Sequence, residues 1–148
     1  NTDELLKNVT MVSQTTYLFD ETIEDNLRIA KPDATQEEIE AACRMASVHE
    51  FILSLPDGYK TRVGALGDNL SAGEKQRIGM ARAFLRGSEW ILLDEPTSNV
   101  DSINEGIILK ALQEQKRKKS ILLVSHREST MAIADRIYRV KDGRMAEI

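Results

Sequence analysis

The sequence predicts an α/β fold: a mainly parallel sheet, a helical segment inserted into it, and a β-hairpin at its C-terminal end. Three stretches predict it. Trp90-Ile91-Leu92-Leu93-Asp94-Glu95-Pro96 is an apolar strand ending in two adjacent carboxylates, and open α/β sheets bind ligands at the C-terminal edge of their strands. Ser120-Ile121-Leu122-Leu123-Val124 is a continuous apolar run, as expected of a buried parallel strand. Leu70-Ser71-Ala72-Gly73-Glu74-Lys75-Gln76-Arg77 joins a glycine-containing loop to a helix. Ser71 and Glu74 form a Ser-x-x-Glu capping box there, so the helix begins just after Ser71. Such a start presents unpaired N–H groups and the positive end of a helix dipole, which suits a phosphate.

The 148 residues suffice for one domain with a core. Hydrophobic content of 41% and charged content of 30% are ordinary for a globular protein, and the net charge of −4 gives no bulk basic character that would argue for nucleic acid. Cys43 is the sole cysteine and cannot close an internal disulfide, which fits a reducing compartment. No apolar run approaches the roughly 20 residues of a membrane span. The first residue is Asn1 rather than Met, which suggests an excised piece of a longer protein.

Taken in order, Asn8 to Ser13 alternates with β-favouring residues and predicts a short strand. Gln14 follows its end; an isolated amide there ordinarily makes local hydrogen bonds. Tyr17, Leu18 and Phe19 form an apolar cluster in a polar loop, ordinarily core. Pro32 to Thr35 reads as a turn, and Thr35 with Glu38 forms a second capping box. Ile39, Ala42, Cys43 and Ala46 then share one helical face, which makes Cys43 a small buried residue rather than a nucleophile. His49 has no partner at metal-ligand spacing and is expected at the surface or in a cap. Phe51, Ile52, Leu53 and Leu55 are apolar and end at Pro56-Asp57-Gly58, a strong turn signal. Tyr59 to Asn69 reads as loop. The helix opened at Ser71 runs to about Arg86, with Ile78, Met80, Ala81, Phe84 and Leu85 as apolar positions and Gly87 as C-cap. Ser102 and Glu105 form a third capping box, followed by a helix burying Ile107, Ile108, Ala111 and Leu112. Lys116 to Lys119 is expected to be a solvated helix C-terminus. Asp142-Gly143 between two short strands predicts the hairpin.

Several of these stretches together resemble the ATP-binding cassette (ABC) ATPases. Leu70 to Glu74 is similar to the ABC signature loop. Ile91 to Glu95 is similar to the Walker B strand with its trailing glutamate, and Ser98-Asn99-Val100-Asp101 to the D-loop. Ser125-His126 resembles the H-loop. Gln14 with Thr15 to Leu27 resembles the Q-loop segment, in particular its exporter version. The resemblance covers nearly all of the chain from Asn8 onward. It implies a partial P-loop NTPase (RecA-like) core at 1–16 and 89–148, and an ABC-type helical subdomain at 17–88. It also implies ATP and Mg²⁺ as cofactors, and a location at the cytoplasmic face of the membrane for the whole transporter, with this piece itself soluble.

The implied roles fit the chemistry of phosphoryl transfer, which needs held phosphates, a bridging metal, an oriented water and charge stabilisation. Asp94 would bind Mg²⁺ through oxygen. Glu95 would polarise the attacking water as general base. Gln14 would offer a neutral oxygen to the metal and touch the water, and His126 would donate to the γ-phosphate. Ser71, Ala72, Gly73 and Glu74 would meet a nucleotide held by a second nucleotide-binding domain, with Asp101 at the boundary between the two. Thr15 to Asp25 would contact the coupling helices of a transmembrane domain. Ala72 and Glu74 depart from the usual Gly and Gln of the signature; the capping box accounts for Glu74, and the Ala72 methyl would weaken the phosphate contact. Asn99-Val100 in place of Ala-Leu is a milder change.

No Gly-x-x-x-x-Gly-Lys-Ser/Thr occurs in the sequence. The chain therefore reads as the C-terminal part of such a domain without its Walker A, and in isolation it is expected to be inactive. Two other readings compete. A DNA-associated ABC-type ATPase would place a long coiled coil between the Q-loop and the signature, whereas here about 55 residues separate Gln14 from Leu70. A non-catalytic interaction module would not need Glu95 and His126, which are both present.

Overall fold

The computed structural model describes residues 2–64 and 67–148. Helix α1 (Thr2–Asn8) runs directly into strand β1 (Val9–Val12). Four helical pieces follow: α2 (Ile23–Arg28), α3 (Gln36–Met45), α4 (His49–Ser54) and a 3-10 turn at Gly58–Lys60. Helix α5 (Ala72–Arg86) leads into β2 (Trp90–Asp94), then α6 (Ser102–Gln115), β3 (Ser120–Val124) and the short α7 (Glu128–Met131). A hairpin of β4 (Tyr138–Lys141) and β5 (Arg144–Glu147) closes the chain. Ala65 and Leu66, within the predicted Tyr59–Asn69 loop, lie outside the described residues, as does Asn1.

The three long-range strands form a parallel sheet in the order β1-β2-β3, with Thr10 opposite Ile91 and Ile91 opposite Ile121. Period-two alternation splits its side chains between two faces. Thr10, Val12, Ile91 and Leu93 are buried, and they share one core with Ile78 of α5 and Ile108 and Leu112 of α6. The opposite face is open: Met11 is 58% exposed, Trp90 51%, Leu122 55% and Val124 48%. This corrects the expectation for Ser120–Val124. The strand is parallel, but it is an edge strand whose residues are half-buried or exposed, because helices pack on only one side of it.

The helical region closes on itself. Leu18, Ile23, Leu27, Ile39, Cys43, Ala46, Val48, Ile52 and Val63 are fully buried. Caps explain where its helices start. Thr22 Oγ1 accepts from the Asp25 N–H at 3.0 Å, and the Thr35–Glu38 capping box is complete. Helix α5 keeps its predicted bounds, with the Ser71–Glu74 box at one end and Gly87 in the left-handed conformation (φ 75°) at the other, a geometry that favours glycine.

Three local expectations change. The N-cap of α6 is Asp101, one residue earlier than Ser102, because Asp101 Oδ1 accepts from the Asn104 N–H at 2.8 Å. Glu105 is instead drawn into an ion pair with Arg127 at 2.6 Å. His49 is buried rather than superficial: it opens α4, and its Nδ1 lies 2.7 Å from the Tyr59 hydroxyl supplied by the 3-10 turn. Lys116 is not merely solvated, since its Nζ donates to the Ile133 carbonyl at 3.0 Å and pairs with Asp135 at 3.1 Å. Burial also pushes the Cys43 thiol up to about 12, in keeping with an inert core residue.

Candidate functional site

The three parallel strands end at the same sheet edge, and each is followed there by a residue singled out in the sequence. Gln14 lies two residues beyond β1, Glu95 directly after β2, and His126 two residues beyond β3. Glu95 continues the sheet for one more step, its N–H donating to the Val124 carbonyl at 2.8 Å. Its backbone then turns sharply into the left-handed region, φ 47°. That is uncommon for a residue bearing a side chain, and such outliers cluster at functional sites. The turn sets the Glu95 carboxylate, 15% exposed, 3.7 Å from His126 Nε2. The imidazole itself is 96% exposed. At this separation the two side chains are neighbours without a short hydrogen bond between them. Asp94, the last residue of β2, is half-buried beside them in sequence.

The second group is built on the two helix N-termini that follow Ser71 and Asp101. Ser71 Oγ accepts from the Glu74 N–H at 3.2 Å, and Glu74 Oε1 accepts from the Ser71 N–H at 3.1 Å. The Lys75 N–H donates to the Ser71 carbonyl at 3.0 Å. Helix geometry leaves the N–H groups of Ala72 and Gly73 without an intrahelical acceptor. Ser71 and Ala72 are exposed and Gly73 is buried. Glycine is required at 73 by close approach: a Cβ there would stand 2.3 Å from Asn104 Cγ. Asp101 is exposed. Hydrogen bonds from the Asn104 backbone and side chain hold its carboxyl below the ordinary range. An open cleft of about 500 Å³ is lined by Gln14, Thr16, Ala72, Gln76, Asn99 and Val100.

Several residues without a motif hold this arrangement. Buried Arg77 donates from Nη1 to the Ser47 carbonyl at 2.7 Å and from Nη2 to Asn104 Oδ1 at 3.0 Å. Thr16 Oγ1 donates to Gln76 Oε1 at 3.0 Å, tying the loop after Gln14 to α5. Arg82 donates to the carbonyls of Asn26 (3.0 Å) and Tyr17 (2.7 Å) and to Asn26 Oδ1 (2.9 Å). Asn26, fully buried, in turn accepts from the Phe19 N–H at 2.9 Å and donates to the Phe19 carbonyl at 3.0 Å. The apolar cluster of the loop divides as a result: Leu18 enters the core, while Tyr17 and Phe19 remain about half exposed, their rings edge-to-face at 4.9 Å. Arg127 donates to the Thr97 carbonyl at 2.8 Å and so fixes the segment that begins at His126. The sequence signal for these arginines is thin. Their partners lie far along the chain, such as Asn104 27 residues from Arg77, or on backbone carbonyls, such as Tyr17 65 residues from Arg82, which no spacing rule reports.

Asp94 and Gln14 offer oxygen ligands of the kind Mg²⁺ takes. Among the described residues no three His, Cys, Asp or Glu side chains form a metal cage, and no helix is long and apolar enough to cross a membrane.

The chain is 58% identical over 146 residues to a protein of Haemophilus influenzae named "probable ABC transporter ATP-binding/permease protein", covering 99% of this chain and 26% of that one. It is 45% identical over 148 residues to multidrug resistance protein pgp-1 of Caenorhabditis elegans, covering all of this chain and 11% of the relative. Among solved structures, a bacterial Atm1-family ABC exporter with ATP bound superposes with a TM-score of 0.87 at 35% identity, over 99% of this chain and 26% of that one. The chain thus spans about a quarter or less of the length of these relatives. The sequence model of the family described as ABC transporter matches residues 1–98, and the chain belongs to the ABC transporter family, as part of an exporter-like nucleotide-binding domain.

Proposed function

We propose that the chain is the part of an ABC exporter's ATPase that carries the Q-loop, signature, Walker B, D-loop and H-loop. It would couple ATP hydrolysis in a site shared between two nucleotide-binding domains to transport across a membrane. One observation carries the reading most directly: Glu95 and His126 stand 3.7 Å apart where parallel strands end, with Glu95 turned there by a left-handed backbone. In this reading Glu95 orients and deprotonates the attacking water, and His126, exposed beside it, donates to the γ-phosphate. Asp94 and Gln14 would hold Mg²⁺ through their side-chain oxygens, and the ion when bound would supply neutralisation of phosphate charge. Ser71 Oγ and the free N–H groups of Ala72 and Gly73 would bind the γ-phosphate of the nucleotide held by the second domain, with Asp101 at that boundary.

The residues group into an ATPase core (1–16 and 89–148) and a helical subdomain (17–88) in the same proposal. The Thr15–Asp25 loop faces a transmembrane partner, with the exposed Tyr17 and Phe19 rings as the apolar part of that contact. The assembled transporter would present this domain on the cytoplasmic face of the membrane. Because no Walker A sequence occurs in these residues, the isolated chain would bind Mg-ATP poorly and not hydrolyse it. Calorimetry of the 148-residue chain with Mg-ATP checks this; micromolar binding or measurable turnover overturns it. The general-base role is tested by Glu95→Gln in a full-length transporter carrying this sequence. Nucleotide binding is expected to persist while hydrolysis falls by about 100-fold or more. Turnover near that of the unmodified protein would reject the role.

A further inference from the structure

Asn104 has no place in the motifs above, yet both ends of its amide are used. Its Nδ2 donates to Asp101 Oδ1 and Oδ2, each at 3.1 Å. Its Oδ1 accepts from Arg77 Nη2 at 3.0 Å. Arg77 reaches back along α5, its Nε 3.4 Å from the Gly73 carbonyl, and its Nη1 is held by the Ser47 carbonyl at 2.7 Å. The Asn104 side chain also fills the space over Gly73: a Cβ on residue 73 would lie 2.3 Å from Asn104 Cγ and 2.6 Å from its Cβ. One side chain therefore touches the signature loop by packing, the signature helix through Arg77, and the D-loop carboxylate through two hydrogen bonds.

We infer that Asn104 is a positioning residue that locks the signature loop to the D-loop of the same chain. Ser71, Gly73 and Asp101 then face the second domain's nucleotide as one preset surface. The inference rests on the proposed composite ATPase site. The cap of α6 does not require this side chain, because Asp101 already accepts from the Asn104 backbone N–H. What the side chain adds is a buried tie, Arg77 and Gly73, beneath exposed tips, Ser71, Ala72 and Asp101. A neutral amide suits the place because it offers a donor to a carboxylate and an acceptor to a guanidinium from separate atoms on one short stem. Aspartate has no donor for Asp101, and leucine, of similar size, has neither group.

The test uses a full-length transporter carrying this sequence, in lipid, with kcat and KM for ATP and thermal melts measured together. Asn104→Leu and Asn104→Asp are each expected to lower kcat by about tenfold or more, with KM changed by less than about twofold, since misplaced loops weaken the reacting arrangement more than nucleotide capture. Asn104→Gln keeps both a donor for Asp101 and an acceptor for Arg77. It is expected to hold kcat within about threefold of the unmodified protein. Asn104→Asp keeps the acceptor for Arg77 and loses only the donor, so a lower kcat there at an unchanged melting temperature is the readout that loss of stability alone would not produce, and the contrast with Asn104→Gln decides the matter if Asn104→Leu does not fold. The inference is overturned if Asn104→Leu keeps kcat within twofold, or if Asn104→Gln is no better than Asn104→Asp. Glu95→Gln in the same protein separates the two readings: retained hydrolysis there rejects the composite ATPase site itself, whereas its loss beside an unaffected Asn104→Leu rejects only the positioning role.

Discussion

The helical region around α5 and the three-stranded sheet both supply apolar residues to the core but are finished differently. In the helical region Leu18, Ile23, Leu27, Ile39 and Ile52 are fully buried. Arg82 and Asn26 share a network over the loop at 17–22, and Glu24 is paired with Lys60 and Arg28. The sheet has one face in the core and one face of Met11, Trp90, Leu122 and Val124 about half exposed. Its rim carries Glu95 and His126, 3.7 Å apart, the groups proposed to react. The helical region thus holds much of the stability of the chain, and the sheet edge holds the proposed reacting groups. Changes in the first are expected to appear in unfolding, and changes in the second in turnover.

Paired truncations give the largest expected contrast in stability. Ile39→Ala empties a fully buried site and should cost about 2–5 kcal/mol. Leu122→Ala on the open face should cost less than about 1 kcal/mol, because little area is withdrawn from water there. Urea unfolding of the two variants measures the difference; equal costs would break the comparison. Arg82→Met is expected to come next, at about 2–3 kcal/mol, because it leaves the Tyr17 and Asn26 carbonyls unpaired. Hydrogen exchange on residues 17–26 should then quicken more than exchange in the sheet, and a uniform change would argue that the network does not hold that loop separately. The smallest effect concerns acid. Burial raises the Glu24 carboxyl, and hydrogen bonds from Lys60 and Arg28 more than offset this, so it lies below 4.5 when folded. A depressed carboxyl contributes stability that is present above its unfolded value and lost as pH falls through the folded one. The contribution should therefore fade below about pH 4.5, and Glu24→Gln should flatten that part of the stability–pH curve. An unchanged slope in the variant would remove Glu24 from the account.

The Glu95→Gln variant sharpens the same comparison from the other side. It removes a charge from a rim residue without opening a cavity, so its unfolding midpoint should stay near that of the unmodified protein while hydrolysis is lost. A large drop in stability would show that the sheet rim is part of the structural core after all.

Local signals in the sequence were read correctly where the physics is local. The Ser71–Glu74 and Thr35–Glu38 boxes formed because a cap and its N3 partner are three residues apart. The bounds of α5 and the turn of the hairpin at Asp142-Gly143 follow from the same short-range rules. The Ser102–Glu105 box failed because two rivals were stronger: Asp101 caps one residue earlier, and Arg127, 22 residues beyond Glu105 in sequence, takes the Glu105 carboxylate. His49 was misplaced for a similar reason, since the hydroxyl that makes its burial tolerable comes from Tyr59 in the next element.

By itself the sequence determined the α/β class, the helices and strands that carry the motifs, and the family to which they belong. Capping, periodicity and motif order act within a few residues or along the chain, and they survive without knowledge of the fold. The tertiary structure decided which face of the sheet is covered and how Glu95 is turned toward His126. It also decided that Arg77, Arg82 and Asn104 are the ties between loops. Those outcomes depend on close approach and on hydrogen bonds between groups as far as 65 residues apart, and only the packed chain brings such groups together.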